Sequence, residues 1–241
     1  LLKHRGFTLI AILTVALGIG ANLTIFSFVD TMFYRPLPVP EPYQLVNLGD
    51  ADMRGFAYPL YAHLRDHSKA FTSLAAHYST APLNVSGDGD SEMMNGAVVS
   101  ANYFPTLRIK PVLGRFFSPE EDAVPDRDRV VVISHRLWQT RYSGDPSVVG
   151  KKMRLNSTDF TIIGVTPEKF EGVSPGYPNE LWIPTMMLRL GYRWCDALQN
   201  HDCGPLLSIG RLAPDHNATK AQVELAMLSS QLAAANPEIK D

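Results

Sequence analysis

Cysteine and charge are both scarce in this sequence of 241 residues. Two cysteines exclude a small scaffold built on disulfides and any zinc site with four cysteine ligands. The formal net charge of -2 lacks the positive excess of a nucleic-acid-binding domain, so we expect no nucleic-acid partner. With 45% hydrophobic residues, the chain is too apolar to be disordered. By composition alone it is one large domain or two small ones.

Charge is missing altogether from one stretch, the 24 residues from Gly6 to Val29. A helix of that length spans about 36 Å, against roughly 30 Å of bilayer hydrocarbon. We therefore predict a transmembrane helix within residues 1–35, preceded by a short cytoplasmic stub. A secretory signal peptide and a buried core helix are the alternatives. Lys3 and Arg5 precede the stretch, which places the residues after about 35 outside the cytoplasm by the positive-inside rule.

Small and polar residues interrupt the predicted membrane helix. Ala16 and Gly20 are four residues apart with Gly18 between them, and Asn22 follows. Small residues let another helix approach closely in lipid, and a membrane amide favours a hydrogen-bond partner. We predict that these four residues pack against further membrane helices. The alternative is that glycine is simply common in membrane helices.

The rest of the chain, residues 36–241, alternates between strand and helix patterns. Four prolines at 36–42 end the first helix and form a stiff linker. The patterns predict an α+β domain in two lobes, with a capping box at Thr219 and Gln222 that opens the last helix. Helices are predicted at 59–66, 101–107, 135–142 and 219–235, and strands at 74–85, 92–100, 129–134, 151–155, 160–165 and 206–212.

The sequence carries no convincing catalytic or metal-binding motif. His63 and His67 share a helical face, but Leu64 stands where a metalloprotease needs glutamate. The segment 144–152 has glycines and lysines, yet Pro146 and the wrong spacing exclude a phosphate-binding loop and favour a turn. The acidic run 120–122 is interpreted as a surface turn. We therefore predict no catalytic, cofactor-binding or metal-binding residues in this chain.

The two cysteines, Cys195 and Cys203, are close in sequence. Outside the cytoplasm they would form a local disulfide that closes the loop 196–202. Free thiols are the alternative. A metal site that adds His201 would leave zinc without a fourth ligand.

Several segments, taken in order, resemble one family across nearly the whole chain. The run 6–27 followed by Arg35-Pro-Leu-Pro resembles the first membrane helix of MacB-like and FtsX-like ABC transporter permeases, nearest the bacterial duplicated orphan permease branch. Later segments resemble the periplasmic core domain of those permeases: Val99-Ser-Ala-Asn-Tyr-Phe104, Gly114-Arg-Phe-Phe117, Arg136-Leu-Trp-Gln139, Gly144-Asp-Pro-Ser-Val-Val-Gly150, Phe160-Thr-Ile-Ile-Gly-Val165 and Arg211-Leu-Ala-Pro214.

The resemblance implies an anchored periplasmic domain with a porter-like lobe and a β-rich lobe, in the bacterial inner membrane. Three more membrane helices would follow it, so the chain would be part of a longer permease. A separate ABC ATPase subunit would bind ATP and Mg²⁺, and its motion would be transmitted across the membrane to export or hand on a substrate. The implied partners are this ATPase, further permease helices or a second permease copy, a periplasmic protein and the lipid bilayer.

Two other functions stay open from the sequence. A single-pass anchored sensor or binding module would have the same membrane helix and exported domain without transport activity. A membrane-tethered metal hydrolase would use His63 and His67 as ligands.

Overall fold

The computed structural model describes residues 5–29, 37–48, 55–86, 91–174, 176–200 and 203–235. The chain divides into two compact units, residues 1–37 and 38–241. Residues 35 and 36, between which the sequence places the domain boundary, lie outside the described residues.

The first unit contains one helix, α1 (Arg5–Val29), of 25 residues. Its interior has no proline, and the hydroxyls of Thr14 and Thr24 donate back to the carbonyls of Ile10 and Gly20 at 2.9 and 2.8 Å. Such back-bonding satisfies the hydroxyl without breaking the helix. Among the described residues, no helix combines the length and apolarity required of a membrane span. The transmembrane helix stays a prediction.

The second unit is built on a mixed sheet with helices packed against it, which agrees with the predicted mixture of α and β structure. Its elements in chain order are β1 (Leu45–Leu48), α2 (Tyr58–His67), β2 (Phe71–Ser86), β3 (Ser91–Val99), α3 (Tyr103–Leu107), β4 (Leu113–Gly114), β5 (Val130–Ile133), α4 (His135–Tyr142), β6 (Lys152–Leu155), β7 (Thr158–Val165), β8 (Leu181–Pro184), α5 (Leu188–Gly191), β9 (Leu207–Leu212) and α6 (Ala218–Ala235).

Nine strands form a single sheet in the described part of the chain, in the order β1-β9-β2-β3-β8-β5-β7-β4. Strand β6 lies off this path and pairs with both β2 and β7. The pairs β3–β8 and β5–β7 are parallel, and the other pairs are antiparallel. Strands β5 and β8 are buried over most of their length, which places them at the centre of the core.

The two-lobed arrangement predicted from the sequence stays a prediction. Residues 38–241 form one compact unit because β2 is 16 residues long and contributes to both halves of the sheet. Its first half pairs with β9, and its last two residues, Val85 and Ser86, pair with Leu155 and Arg154 of β6. A strand shared in this way connects the two parts of the sheet directly.

Helix α6 begins one residue earlier than predicted, and its cap is different. The backbone N–H of Lys220 donates to Oδ1 of Asn217 at 2.9 Å, so Asn217 is the N-cap and the predicted box of Thr219 and Gln222 is wrong. Asparagine caps as well as serine or threonine. The predicted helices at 59–66, 101–107 and 135–142 are confirmed within two residues at each end.

Aromatic side chains fill the centre of the second unit. Trp182 and Tyr103 are wholly buried, and Phe104 stacks on Phe116 with the ring centroids 3.9 Å apart. Burying each such ring contributes roughly 2–3 kcal/mol before conformational entropy is subtracted. The core therefore gives the sheet a rigid support for whatever is attached at its edges.

Candidate functional site

Residues 40–44, near the start of the second unit, are fixed to the sheet by one buried cation. Arg211 lies on β9 with only 2% of its surface exposed. Its Nε donates to the carbonyl of Thr106 at 2.9 Å, and Nη2 donates to the carbonyl of Pro40 at 3.1 Å. Its Nη1 donates to the carbonyl of Glu41 and to Oε1 of Gln44, both at 3.2 Å. We call these contacts of Arg211 with residues 40–44 the linker anchor.

Burial lowers the pKa of Arg211, and the positive charge of Arg108 lowers it further. Arginine nevertheless stays charged in proteins, because its ordinary pKa is above 12. Charge-assisted hydrogen bonds are roughly twice as strong as neutral ones. The rigid, planar guanidinium also presents its donors in fixed directions, so the linker is held in position as well as attached.

Glu41 adopts a backbone conformation that side chains disfavour, with φ of 50°. A left-handed residue other than glycine costs about 1–2 kcal/mol. Three contacts hold it there: the N–H of Gln44 donates to its carbonyl at 3.1 Å, Arg211 donates to the same carbonyl, and Arg108 pairs with its carboxylate. Strain of this kind persists only where neighbouring groups over-determine it. The chain therefore enters the sheet at a defined angle.

A second fixed point lies at Asp122, at the end of the 3₁₀ turn Pro119–Asp122. Its carboxylate accepts from the backbone N–H of Ala101 at 2.9 Å and of Met186 at 3.0 Å. It thus joins the loop before α3 to the turn before α5. Burial raises the pKa of Asp122 to about 6, although backbone donors of Ala101, Met186 and Thr185 and the charge of Arg65 act in the opposite direction.

The loop that carries the two cysteines is fixed at several points. Cys195 and Cys203 are paired as a disulfide, with their Cα atoms 6.1 Å apart. Arg189 also pairs with Asp196 at 2.6 Å and with Asp126 at 3.1 Å. Whether the cysteines are oxidised in the cell stays a prediction, tested below.

Comparison with known proteins identifies the family. The family model of the MacB-like periplasmic core domain matches residues 8–227 of the chain. The chain belongs to this family. It is also 33% identical, over 91 residues, to the "Macrolide export ATP-binding/permease protein MacB" of Bdellovibrio bacteriovorus; that match covers 36% of this chain and 14% of the relative. This chain therefore corresponds to a small part of that relative's length.

Solved structures show the same fold. The periplasmic region of MacB from Actinobacillus actinomycetemcomitans superposes with a TM-score of 0.59 at 17% identity, over 79% of this chain and 83% of that one. The extracellular domain of the noncanonic ABC-type transporter YknZ from Gram-positive bacteria gives a TM-score of 0.57 at 15% identity, over 79% of this chain and 93% of that one.

The two histidines on α2 of this MacB-like domain contact each other. The rings of His63 and His67 stack with centroids 4.3 Å apart, and Nδ1 of His67 lies 2.9 Å from the carbonyl of His63. No group of three or more His, Cys, Asp or Glu side chains is close enough to hold a metal in the part of the chain that the structure describes. His201 lies outside that part.

The glycine–lysine segment 144–152 forms the turn predicted from the sequence. Asp145 accepts from the backbone N–H of Ser147 at 2.8 Å and pairs with Nζ of Lys151 at 2.7 Å. These contacts, the pairing with Lys151 first, hold the pKa of Asp145 well below its usual range. Nζ of Lys152 donates instead to Oγ1 of Thr161 at 2.7 Å. Lys151 therefore serves the local turn, whereas Lys152 contacts the neighbouring strand β7.

The four residues of α1 that were predicted to pack against further membrane helices are all exposed. Ala16, Gly18, Gly20 and Asn22 lie within two turns of one helix. A Cβ atom added at Gly18 or Gly20 would meet nothing within 4 Å. The structure thus leaves room for another helix at these positions, and the proposed packing stays a prediction.

Sequence reasoning missed Arg211 as a functional residue. Its partners are mostly backbone carbonyls, separated from it by 105 to 171 positions, and carbonyls leave no mark on a sequence. The one available signal was a charged residue inside the apolar strand pattern at 206–212. A charged residue at a position that should be buried indicates that it has a partner, but the sequence does not identify that partner.

Proposed function

We propose that this chain is the membrane-anchored, periplasm-facing part of an ABC transporter permease. In this proposal it transmits ATP-driven motion from the membrane to the periplasm, where the motion exports a substrate or hands it on. The proposal is supported by family membership over residues 8–227 and by the name of the MacB relative. The observation that carries the mechanical part is the linker anchor at Arg211.

Membrane anchoring is assigned to α1. Its sequence is uncharged from Gly6 to Val29, and as a helix of 25 residues it extends about 37 Å. Large apolar side chains are exposed along it, among them Leu17 at 78% and Phe26 at 70%. Lipid is the solvent in which such a surface is stable. Gly18 and Gly20 would accept a neighbouring permease helix.

Transmission requires that a displacement of the linker move the domain rather than merely bend the connection. The linker anchor meets this requirement because Arg211 belongs to β9, which pairs with β1 on one side and β2 on the other. Its guanidinium contacts the linker carbonyls directly. A pull on residues 40–44 would therefore act, through hydrogen bonds, on the second strand from one edge of the sheet.

In this scheme the chain performs no ATP chemistry itself. ATP and Mg²⁺ bind to a separate ATPase subunit, and the domain acts as a lever. Further permease helices, or a second permease copy, and a periplasmic protein complete the assembly.

The test uses the complete permease with its ATPase in lipid nanodiscs. Hydrogen exchange of β2 and β9 is followed by mass spectrometry with and without ATP, beside ATP hydrolysis. We expect ATP to alter exchange in the unaltered protein. In Arg211→Met this response should be lost while hydrolysis persists. Arg108→Met is the matched control, because Arg108 is exposed and contacts only the Glu41 side chain of the linker.

Two outcomes would contradict the proposal. If Arg211→Met leaves the ATP response intact, the anchor does not transmit motion. If the response and the cellular activity both survive deletion of the ATPase, a single-pass anchored sensor or binding module becomes the better description.

A further inference from the structure

An open cavity of about 710 Å³ lies over the outer face of β2, away from the linker anchor. From His77 onward the strand alternates, with odd-numbered side chains buried and even-numbered ones facing out. Tyr78, Thr80 and Asn84 therefore form the floor of the cavity. Pockets of about 300–1,000 Å³ are the usual size for small-molecule sites. The volume alone thus allows a ligand of a few linked rings.

The wall of the cavity is fixed in place by Asn156, in the turn between β6 and β7. Its Oδ1 accepts from the backbone N–H of Asn84 at 2.8 Å, and its Nδ2 donates to the carbonyl of Leu190 at 3.1 Å. Its own N–H donates to the carbonyl of Asn84 at 2.8 Å. One side chain therefore joins the floor strand, the turn and α5. These bonds fix the wall of the cavity without the help of a ligand, which reduces the entropic cost of binding.

Trp194 stands at the rim with 87% of its surface exposed. Its loop is held by the adjacent disulfide of Cys195 and by the pairing of Arg189 with Asp196. Tyr192 packs edge-on against Tyr78 of the floor, with the ring centroids 5.4 Å apart. Because the loop is fixed at several points, the indole of Trp194 is held in an exposed position where a ligand can contact it.

The described lining of the cavity is polar but nearly uncharged. Among the lining residues in the described part of the chain, hydroxyl and amide groups predominate, Arg193 is the one charged side chain, and no carboxylate is present. An anionic ligand would require several cations, and a lipid chain would require an apolar lining. A sugar ring matches both features, since its C–H faces stack on an indole and its hydroxyls exchange hydrogen bonds with amides and hydroxyls.

We propose that this cavity binds a neutral oligosaccharide, with Trp194 as the stacking platform and Thr80 and Arg193 as hydrogen-bonding groups. Trp194 provides one face for a sugar ring, and the strand floor receives the hydroxyls of the next ring. Affinity is modest because the cavity is open and the contacts are few. We expect a Kd of about 1 mM for a tetrasaccharide.

The experiment uses the full 241-residue chain in micelles of lauryldimethylamine oxide, since alkyl glycoside detergents would themselves compete. Cellotetraose, maltotetraose and chitotetraose are titrated to about 20 mM, roughly twenty times the expected Kd. Saturation-transfer NMR measures binding. Acrylamide quenching of tryptophan fluorescence locates it, because Trp182 is wholly buried and Trp194 is the most exposed tryptophan of the chain. Tetraglycine is the peptide control.

We expect at least one tetrasaccharide to bind and to shield Trp194 from acrylamide. Trp194→Ala should weaken binding about tenfold, a loss of about 1.4 kcal/mol, and Trp194→Phe should weaken it less. Tyr177→Ala is the matched control, because Tyr177 is 56% exposed and does not line the cavity. Both tryptophan variants should fold, since the side chain is in water.

Three results would overturn the proposal. The first would be that no tetrasaccharide binds at about 20 mM. The second would be that a tetrasaccharide binds equally well to the Trp194→Ala variant. The third would be that tetraglycine, or self-association of the chain, shields Trp194 while the sugars do not, which would make this face a protein-docking surface.

Discussion

Replacing Arg211 by methionine should detach the linker from the sheet without unfolding the domain. Methionine keeps much of the apolar stem but provides no donor, so four hydrogen bonds are lost. The carbonyl of Thr106 is buried, and leaving a buried acceptor unpaired costs about 1–3 kcal/mol. The linker acceptors are partly buried, so water replaces some of their bonds. We expect the free energy of unfolding to fall by about 3 kcal/mol.

Urea unfolding followed by circular dichroism measures that loss, and amide exchange locates it. The N–H of Gln44 donates to the carbonyl of Glu41 at 3.1 Å, a bond that depends on the anchored shape of the linker. Its exchange should accelerate strongly in Arg211→Met, while exchange in the buried strand β5 changes little. Arg108→Met serves as the control. Its ion pair is about half exposed, so its removal should cost less than about 1 kcal/mol.

The reasoning would be refuted if Arg211→Met and Arg108→Met lost equal stability, or if Gln44 exchanged at the same rate in all three proteins. Either result would mean that the linker is held by the β1–β9 pairing alone. Arg211→Lys is informative as well, because one ammonium cannot reach acceptors that lie on several sides of a guanidinium.

Three further predictions follow from other parts of the chain. Because folding raises the pKa of Asp122 to about 6, the protonated carboxyl stabilises the fold fully below about pH 4, and this stabilisation is lost as the pH rises through 6. Between pH 4 and pH 7 the free energy of unfolding of the wild type, measured in urea, should therefore fall by up to about 3 kcal/mol relative to that of Asp122→Asn. A difference between the two proteins that does not change with pH would contradict this. Changing Cys195 and Cys203 to serine should cost about 2.5 kcal/mol by loop entropy, and alkylation of the denatured wild type should find no free thiol; a reactive thiol would show the pair to be reduced. Leu17→Arg should lower the fraction of chain that resists alkaline carbonate extraction, since arginine at a helix centre costs about 3 kcal/mol to insert, whereas Leu17→Ile should not; equal extraction would argue against a membrane-embedded α1.

The regular elements could be predicted wherever one pattern dominated. Helix α4 has the predicted bounds, 135–142; Ser134 caps its start, and Gly144 follows its end. The strands predicted at 151–155 and 160–165 leave four residues between them, more than the turn between β6 and β7 contains. Asn156 and Ser157 both adopt positive φ, of 45° and 68°, so two residues suffice.

Elements that lack a pattern of their own were missed. Strand β8 is buried along its whole length, so it shows no alternation, and four residues are too few to distinguish a strand from a helix. Strand β1 is short and lies at the edge of the sheet, where its pairing with β9 defines it rather than its composition.

The candidate sites depend on contacts between distant residues, and there the sequence was least informative. The acidic run 120–122 was interpreted as a surface turn. This is correct for Glu120 but wrong for Asp122, whose carboxylate turns inward to two backbone donors. Only the folded structure distinguishes these two acidic residues of the same turn.

Strand β2 gives the domain a property that none of its sites has alone. At about 3.3 Å per residue, its 16 residues extend roughly 50 Å. It begins beside β9, which holds the linker, and it ends beside the turn that forms the wall of the polar cavity. An extended backbone can hardly be stretched further, so β2 keeps its two ends at a nearly constant separation. If residues 40–44 move as proposed, β2 links that movement to the cavity across two irregularities in its pairing, one between Phe71 and Ser73 opposite β9 and one between Tyr78 and Ala81 opposite β3.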